Sequence, residues 1–182
     1  ELLGTTLDIY RTEEAFAKDV IKAYVEFVNE IYEAGCRNLQ FDDCVWGGMV
    51  NPKLAVALTG RKGQKLEDYK ALLLQLNNEV VAQAPSDLVI NTHVCRGNYH
   101  STFFSSGAYD GVADLLFGEE NVNAYYLEYD DERSGGFAPL AKVSGDKKVV
   151  LGLVTTKSPV LEDKEAVIAR IREAEKYVPL DR

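Results

Sequence analysis

Asn91-Thr92-His93-Val94-Cys95 follows directly on the apolar run Leu88-Val89-Ile90. In an extended segment, residues two apart point to the same side. His93 and Cys95 therefore offer an imidazole nitrogen and a sulfur to one point in space. Both are good zinc ligands. The plain alternative is a buried histidine beside an unrelated cysteine, because two ligands do not make a site. Further donors must come from elsewhere in the chain.

The flanking segments show how they arrive. Upstream, a helix is expected over 66–84, with Tyr69, Leu72, Leu73, Leu76 and Val80 as its apolar stripe and Pro85 closing it. Before that comes a helix over 13–34, whose Phe16, Val20, Tyr24, Phe27 and Ile31 recur at spacings of three and four. A strand over 37–41 follows, ending in Asp42-Asp43, and then a loop with Trp46, Gly47, Gly48 and Pro52. Downstream of Cys95, a loop rich in Gly, Ser and Asn leads to a short helix over 110–117 and a strand over 123–127 ending at Glu128. A polar loop over 130–136 and a helical piece near Ala138 precede a strand over 148–154, which runs out near Thr155-Thr156-Lys157. The last helix spans 163–177, with Val167, Ile171 and Ala174 inward, and Pro179-Leu180 looks like the approach to a further strand.

Alternating helices and strands mean an α/β fold with a parallel sheet and crossover helices. A doubly wound sheet and a (β/α)8 barrel both fit this order. No Gly-x-Gly-x-x-Gly follows any strand, so a dinucleotide site has no support, and Gly60-Arg61-Lys62-Gly63 falls short of a phosphate-binding loop.

Composition narrows the partners. The 182 residues suffice for one domain with a sizeable core, and 46% are hydrophobic. Twenty basic against 29 acidic residues give a net charge of −9 with no Lys/Arg cluster, which argues against nucleic acid or an anionic membrane surface as partner. Nothing resembles a membrane span or a signal peptide. The 3 cysteines, Cys36, Cys44 and Cys95, are too sparse for a disulfide framework, so a reducing, cytoplasmic setting is expected.

In parallel α/β folds, chemistry collects at the carboxyl ends of strands. Those ends carry Asp42 and Asp43, then His93 and Cys95, then Glu128, then Lys157. His93, Cys95 and Glu128 together supply nitrogen, sulfur and oxygen for one zinc ion. The alternative for Glu128 is an ordinary loop acid beside Asp130, Asp131 and Glu132. Cys44 reads as a loop or packing residue, and Cys36, at a strand start, as structural. Arg96, Asn98, Arg133 and Ser134 stand in loops over the same edge, where Arg96 and Asn98 are candidate substrate contacts. Tyr125, Tyr126 and Tyr129 read as packing.

Leu39-Gln40-Phe41-Asp42-Asp43, His93-Val94-Cys95-Arg96-Gly97-Asn98, Leu127-Glu128 and Lys157-Ser158-Pro159, in this order, resemble the catalytic barrel of cobalamin-independent methionine synthase. The resemblance covers nearly the whole chain and is closest to the short, single-barrel relatives of that enzyme. It implies a (β/α)8 barrel of which residues 1–182 are about half, a partial TIM-barrel catalytic domain matching the fourth to seventh strands. It implies zinc on His93, Cys95 and Glu128, with the family's second cysteine falling beyond the segment that matches Pro179-Leu180-Asp181-Arg182. The implied activity is methyl transfer to the thiol of homocysteine to form methionine, with Asp42 binding the substrate amino group. Coordination by zinc lowers a thiol's pKa from its free value of about 8.5, which suits such a reaction.

Two departures concern the methyl donor. The family's methyltetrahydrofolate enzymes have a proton-donating histidine before the Ser-Pro pair, where this chain has Lys157, a proton donor or an anion contact. Their aspartate-glutamate-proline-alanine run is Asp42-Asp43-Cys44-Val45 here. The donor is therefore either methyltetrahydrofolate or a methylated corrinoid protein. Two other readings stay open: a corrinoid-linked methyltransferase of the uroporphyrinogen-decarboxylase-like kind, and a non-catalytic domain stapled by zinc. Half a barrel leaves two strand edges unpaired, so self-association, weak zinc binding and inactivity of the isolated piece are expected.

Overall fold

The computed structural model describes residues 9–182. Helix α1 (Glu13–Glu33) starts at Thr12, whose hydroxyl accepts the Ala15 N–H at 3.2 Å, and carries Glu13 and Glu14 in its first turn. Strand β1 (Asn38–Asp42) follows. Two short helices, α2 (Val45–Met49) and α3 (Pro52–Thr59), then occupy the segment expected to be a loop. The cause of α3 is local. Asn51 accepts the N–H groups of Lys53 and Leu54, Pro52 takes the first turn, and Gly60 stops the helix in the left-handed conformation.

Helix α4 (Gln64–Ala82), strand β2 (Val89–Val94), helix α5 (Ala113–Glu119), strand β3 (Ala124–Glu128), strand β4 (Lys148–Gly152) and helix α6 (Lys164–Ala174) complete the order. Short 3₁₀ turns at Tyr109–Gly111, Glu132–Ser134 and Ala138–Lys142 lie between them. Strand β4 stops at Gly152, two residues before the expected end at Val154, and β2 reaches Val94 rather than Thr92. His93 is thus a strand residue and Cys95 the first beyond it.

Among the described residues the four strands are all parallel and lie in the order β1-β2-β3-β4. This is the architecture of a partial (β/α) barrel. Register sets two faces. Phe41, Thr92, Tyr125 and Val149 are lateral neighbours on the face that the helices cover, where Thr92 and Tyr125 are fully buried. Asp42, His93, Tyr126 and Val150 are neighbours on the other face, which is open; Val150 is 42% exposed. Beyond the outer edge of β4, the Val149 N–H donates to the Arg182 carbonyl at 2.8 Å, so the segment after Pro179-Leu180 does approach the sheet.

The apolar stripe of α1 is rotated by about one residue from the expected one. Ala17 and Val28 are buried, with Ile21, Val25 and Tyr32 packed on the core, whereas Tyr24 and Phe27 are about half exposed. Tyr24 stands edge-on to Phe41 of β1. Among the described residues β1 is the edge strand on that side, and the aromatic stripe has no further strand to cover. Helix α6 turns Val167, Ile171 and Ala174 inward, as its spacing predicts.

Candidate metal centre at the strand ends

The end of β1 is tied to the end of β2: the Asp43 N–H donates to the His93 carbonyl at 2.9 Å. One residue further, Cys44 begins α2, and its Sγ lies 3.1 Å from the Sγ of Cys95. The ligand atoms of Cys44, His93 and Cys95 all lie within 4.8 Å of one another. Donors gathered this closely could hold one metal ion. Two sulfurs and an imidazole also match zinc in softness. Cys44, expected to be a loop or packing residue, is thus a member of the only such group among the described residues. Its place depends on how β1 and β2 pair, and no spacing along the chain reveals that.

Asp42 and His93 are partners in register, and the Asp42 carboxylate faces His93 Nδ1. That contact fixes the ring and leaves Nε2 free. Hydrogen bonding to His93 holds the Asp42 carboxyl below its ordinary range despite some burial. The two sulfurs are within hydrogen-bond distance of each other. The hydrogen bond from Cys44 and the N–H of Gly97, 3.4 Å away, lower Cys95, while the same shared bond and burial raise Cys44.

Two residues brace this corner. Gly47 of α2 packs so closely on Cys95 that an added Cβ would meet the Cys95 carbonyl oxygen at 1.9 Å. The buried Tyr109 hydroxyl donates to the Val94 carbonyl at 3.0 Å and accepts the Glu128 N–H at 3.2 Å, joining the ends of β2 and β3. Tyr109 is a site residue that sequence reasoning missed; nothing marks it apart from other loop tyrosines.

Glu128 lines an open concavity of about 310 Å3 together with His93, Cys95, Asn98, Tyr126 and Lys157. Its carboxylate is already engaged: Oε2 accepts the Arg96 N–H at 2.5 Å, and Oε1 pairs with Arg133. It is outside the three-donor group. Lys157 Nζ is 3.9 Å from Glu128 Oε1 and donates to the Thr156 hydroxyl at 2.9 Å, and that hydroxyl donates to Asn98 Oδ1 at 3.2 Å. Asn98 and Lys157 thus face the same space. Asp42 is exposed and borders a neighbouring hollow with Asp43 and Asn77.

The Arg96 side chain does not face that space. It is buried, donates to the Gly107 carbonyl at 2.6 and 3.2 Å, and lies over the Tyr109 ring. The expected substrate contact is replaced by a structural one, because the guanidinium finds a carbonyl and an aromatic face in the core. Only the Arg96 main chain serves the site.

Behind β1, the Asn77 amide donates to both Asp43 (2.5 Å) and Glu120 (2.8 Å). Burial raises both carboxyls, Glu120 to about 8. Unfolded, Glu120 ionises near 4.5, so between that pH and about 8 the folded chain binds the extra proton. Stability must then fall as pH rises through this window and flatten above it. Against Glu120→Gln, the wild type is expected to lose roughly 3 kcal/mol between pH 5 and pH 8. Urea melts of both across that range check this; parallel curves refute it.

Residues 7–182 match the family described as "Cobalamin-independent synthase, Catalytic domain". The chain is 40% identical over 176 residues to "Uncharacterized protein YxjG" of Bacillus subtilis (strain 168), covering 96% of this chain and 46% of that protein. It is 41% identical over 174 residues to "Uncharacterized protein YxjH" of the same organism, covering 95% and 46% respectively. The chain thus spans under half the length of these relatives. With the match running through every strand and every candidate donor, this chain belongs to the cobalamin-independent synthase catalytic-domain family.

Proposed function

We propose that residues 1–182 are part of the catalytic domain of a cytoplasmic, zinc-dependent methyltransferase that moves a methyl group onto the thiol of homocysteine, forming methionine. The observation that carries this reading is the convergence of Cys44, His93 and Cys95 at the strand ends, beside a concavity lined by Glu128 and Lys157. Cys44, His93 and Cys95 would hold zinc, with Glu128 as a further oxygen donor across the concavity. Bound zinc supplies Lewis acidity that lowers the pKa of a substrate thiol.

The remaining roles fall to the chain itself. Asp42 orients His93 and, being exposed, has a free face for the substrate ammonium. Asn98 offers a polar contact beside the concavity. Lys157 protonates the leaving group of the methyl donor or holds an anionic part of it. Methyltetrahydrofolate and a methylated corrinoid protein are the two donors in view. Family membership favours the cobalamin-independent reaction over the uroporphyrinogen-decarboxylase-like one. The open concavity beside the three-donor group favours an enzyme over a zinc staple.

The test uses the intact protein. It is expected to carry about one zinc per chain and to methylate homocysteine with methyltetrahydrofolate or with methylcobalamin. His93→Ala and Cys95→Ser should each lower zinc retention and turnover by about 100-fold or more. An intact protein that holds no zinc, or that transfers from neither donor, refutes the reading. The 182-residue piece, with its open sheet face, is expected to self-associate and to be inactive; sedimentation checks its mass.

A further inference from the structure

The 3.1 Å separation of Cys44 and Cys95 bears on more than metal binding. The pattern that the resemblance implies takes its second sulfur from far downstream, so Cys44 is an additional thiol at this corner. The pairing of β1 with β2 sets the two sulfurs side by side, and the close contact of Gly47 with the Cys95 carbonyl keeps α2 against that strand end. Cys44 is exposed and Cys95 half-buried, so a small oxidant reaches both. The third cysteine, Cys36, is directed elsewhere: its Sγ bonds the Asn38 carbonyl at 3.4 Å. A vicinal pair of accessible thiols with no bulk between them is the arrangement in which one thiol resolves the oxidised form of the other.

We infer that Cys44 and Cys95 are a reversible oxidation site, closing to a disulfide when a peroxide reaches the metal-free corner. In the first step the Cys95 thiolate attacks hydrogen peroxide. An S–O bond forms, the O–O bond breaks, and hydroxide leaves to take up a proton as water. In the second step the Cys44 thiolate, having lost its proton to solvent, attacks the sulfenic sulfur. The S–S bond forms, the S–O bond breaks, and the oxygen departs as a second water. Two thiols lose two electrons, and one peroxide is reduced to two waters. A dithiol reductant reverses the bond by exchange. The disulfide itself needs only the geometry; that it competes with metal rests on the zinc reading, since a ligand sulfur must be a thiolate.

The experiment treats the metal-free intact protein with stoichiometric hydrogen peroxide, alkylates the remaining thiols, and maps the digest by mass spectrometry. The expected product is a Cys44–Cys95 linked peptide pair, two hydrogens lighter than the sum of its parts, that dithiothreitol releases. Cys36→Ser should leave the link intact. Cys44→Ser should abolish it and leave Cys95 to proceed to sulfinic acid. Preloading with zinc should slow the link by at least about tenfold. Finding Cys44 and Cys95 unlinked, each free or separately over-oxidised, overturns the inference even if zinc binds. A link that forms without any zinc binding leaves the inference standing and removes the zinc reading instead.

Discussion

Gly47→Ala is expected to destabilise the protein by about 3 kcal/mol and to loosen the metal corner, the larger effect of any single methyl group added to α2. The new Cβ would stand 1.9 Å from the Cys95 carbonyl oxygen and 3.2 Å from its carbon. Both are main-chain atoms of the segment that carries a donor, so neither yields by a rotamer change. Relief requires α2 to lift from the end of β2, and Cys44 at its start then moves away from Cys95. Gly48→Ala is the control next door. Its Cβ would meet the end of the Leu58 side chain at 2.9 Å, which can turn aside, and touch the Phe104 ring at 4.0 Å. A loss of about 1 kcal/mol is expected there. Urea denaturation and zinc retention of both variants settle the matter; equal losses, or an alanine at 47 without cost, would contradict the packing described.

Arg133→Ala is expected to cost roughly 3–5 kcal/mol, because it strands charges away from water. The Arg133 side chain is only 7% exposed, and its guanidinium pairs with Glu128, Asp130 and Asp131. Of these, the Asp130 side chain is 4% and that of Glu128 12% exposed. Without the arginine, Glu128 keeps the Arg96 N–H and a distant Lys157, and Asp130 loses its two contacts at 2.8 and 2.9 Å. The penalty has a pH signature. Burial works to raise the Asp130 carboxyl, but hydrogen bonds from Thr155 and Arg133 outweigh it and hold the group below its ordinary range. Its contribution is present above the ordinary carboxylate range and is lost as pH falls through the folded value. The gap between wild type and variant should therefore shrink in acid. Arg133→Lys should recover only part of it, since an ammonium cannot span three carboxylates as a planar fork does. A gap unchanged between pH 7 and pH 3 would show that Arg133 acts through packing alone.

The sheet and its long helices were legible because their signals are local. Apolar runs ending in ionisable residues marked all four described strands, and apolar residues at spacings of three and four marked the long helices. His93 and Cys95 were legible together because a spacing of two along a strand fixes a shared side. Cys44 was not, since its nearness to Cys95 comes from lateral pairing between segments some fifty residues apart. The helices over 45–59 had an Asn-Pro start and a glycine stop in plain view. Trp46-Gly47-Gly48 hid them, because two glycines argue against a helix until the close contact with Cys95 is known. Arg96 was misread for a related reason: whether an arginine turns outward or onto a buried tyrosine depends on what the core leaves unpaired.

A sheet whose spatial order equals its chain order also dictates when its parts meet. Every strand docks only on strands adjacent in sequence, so the sheet can grow along one edge as the polypeptide leaves the ribosome, amino-terminal units first. Cys44, His93 and Cys95 all stand at the ends of the first described strand pair, where Ser105 donates to the Gly47 carbonyl at 2.6 Å. Glu128 and Lys157 come with the third and fourth strands. The nascent chain can thus bring two sulfurs and an imidazole together before the opposite wall of the cavity has folded.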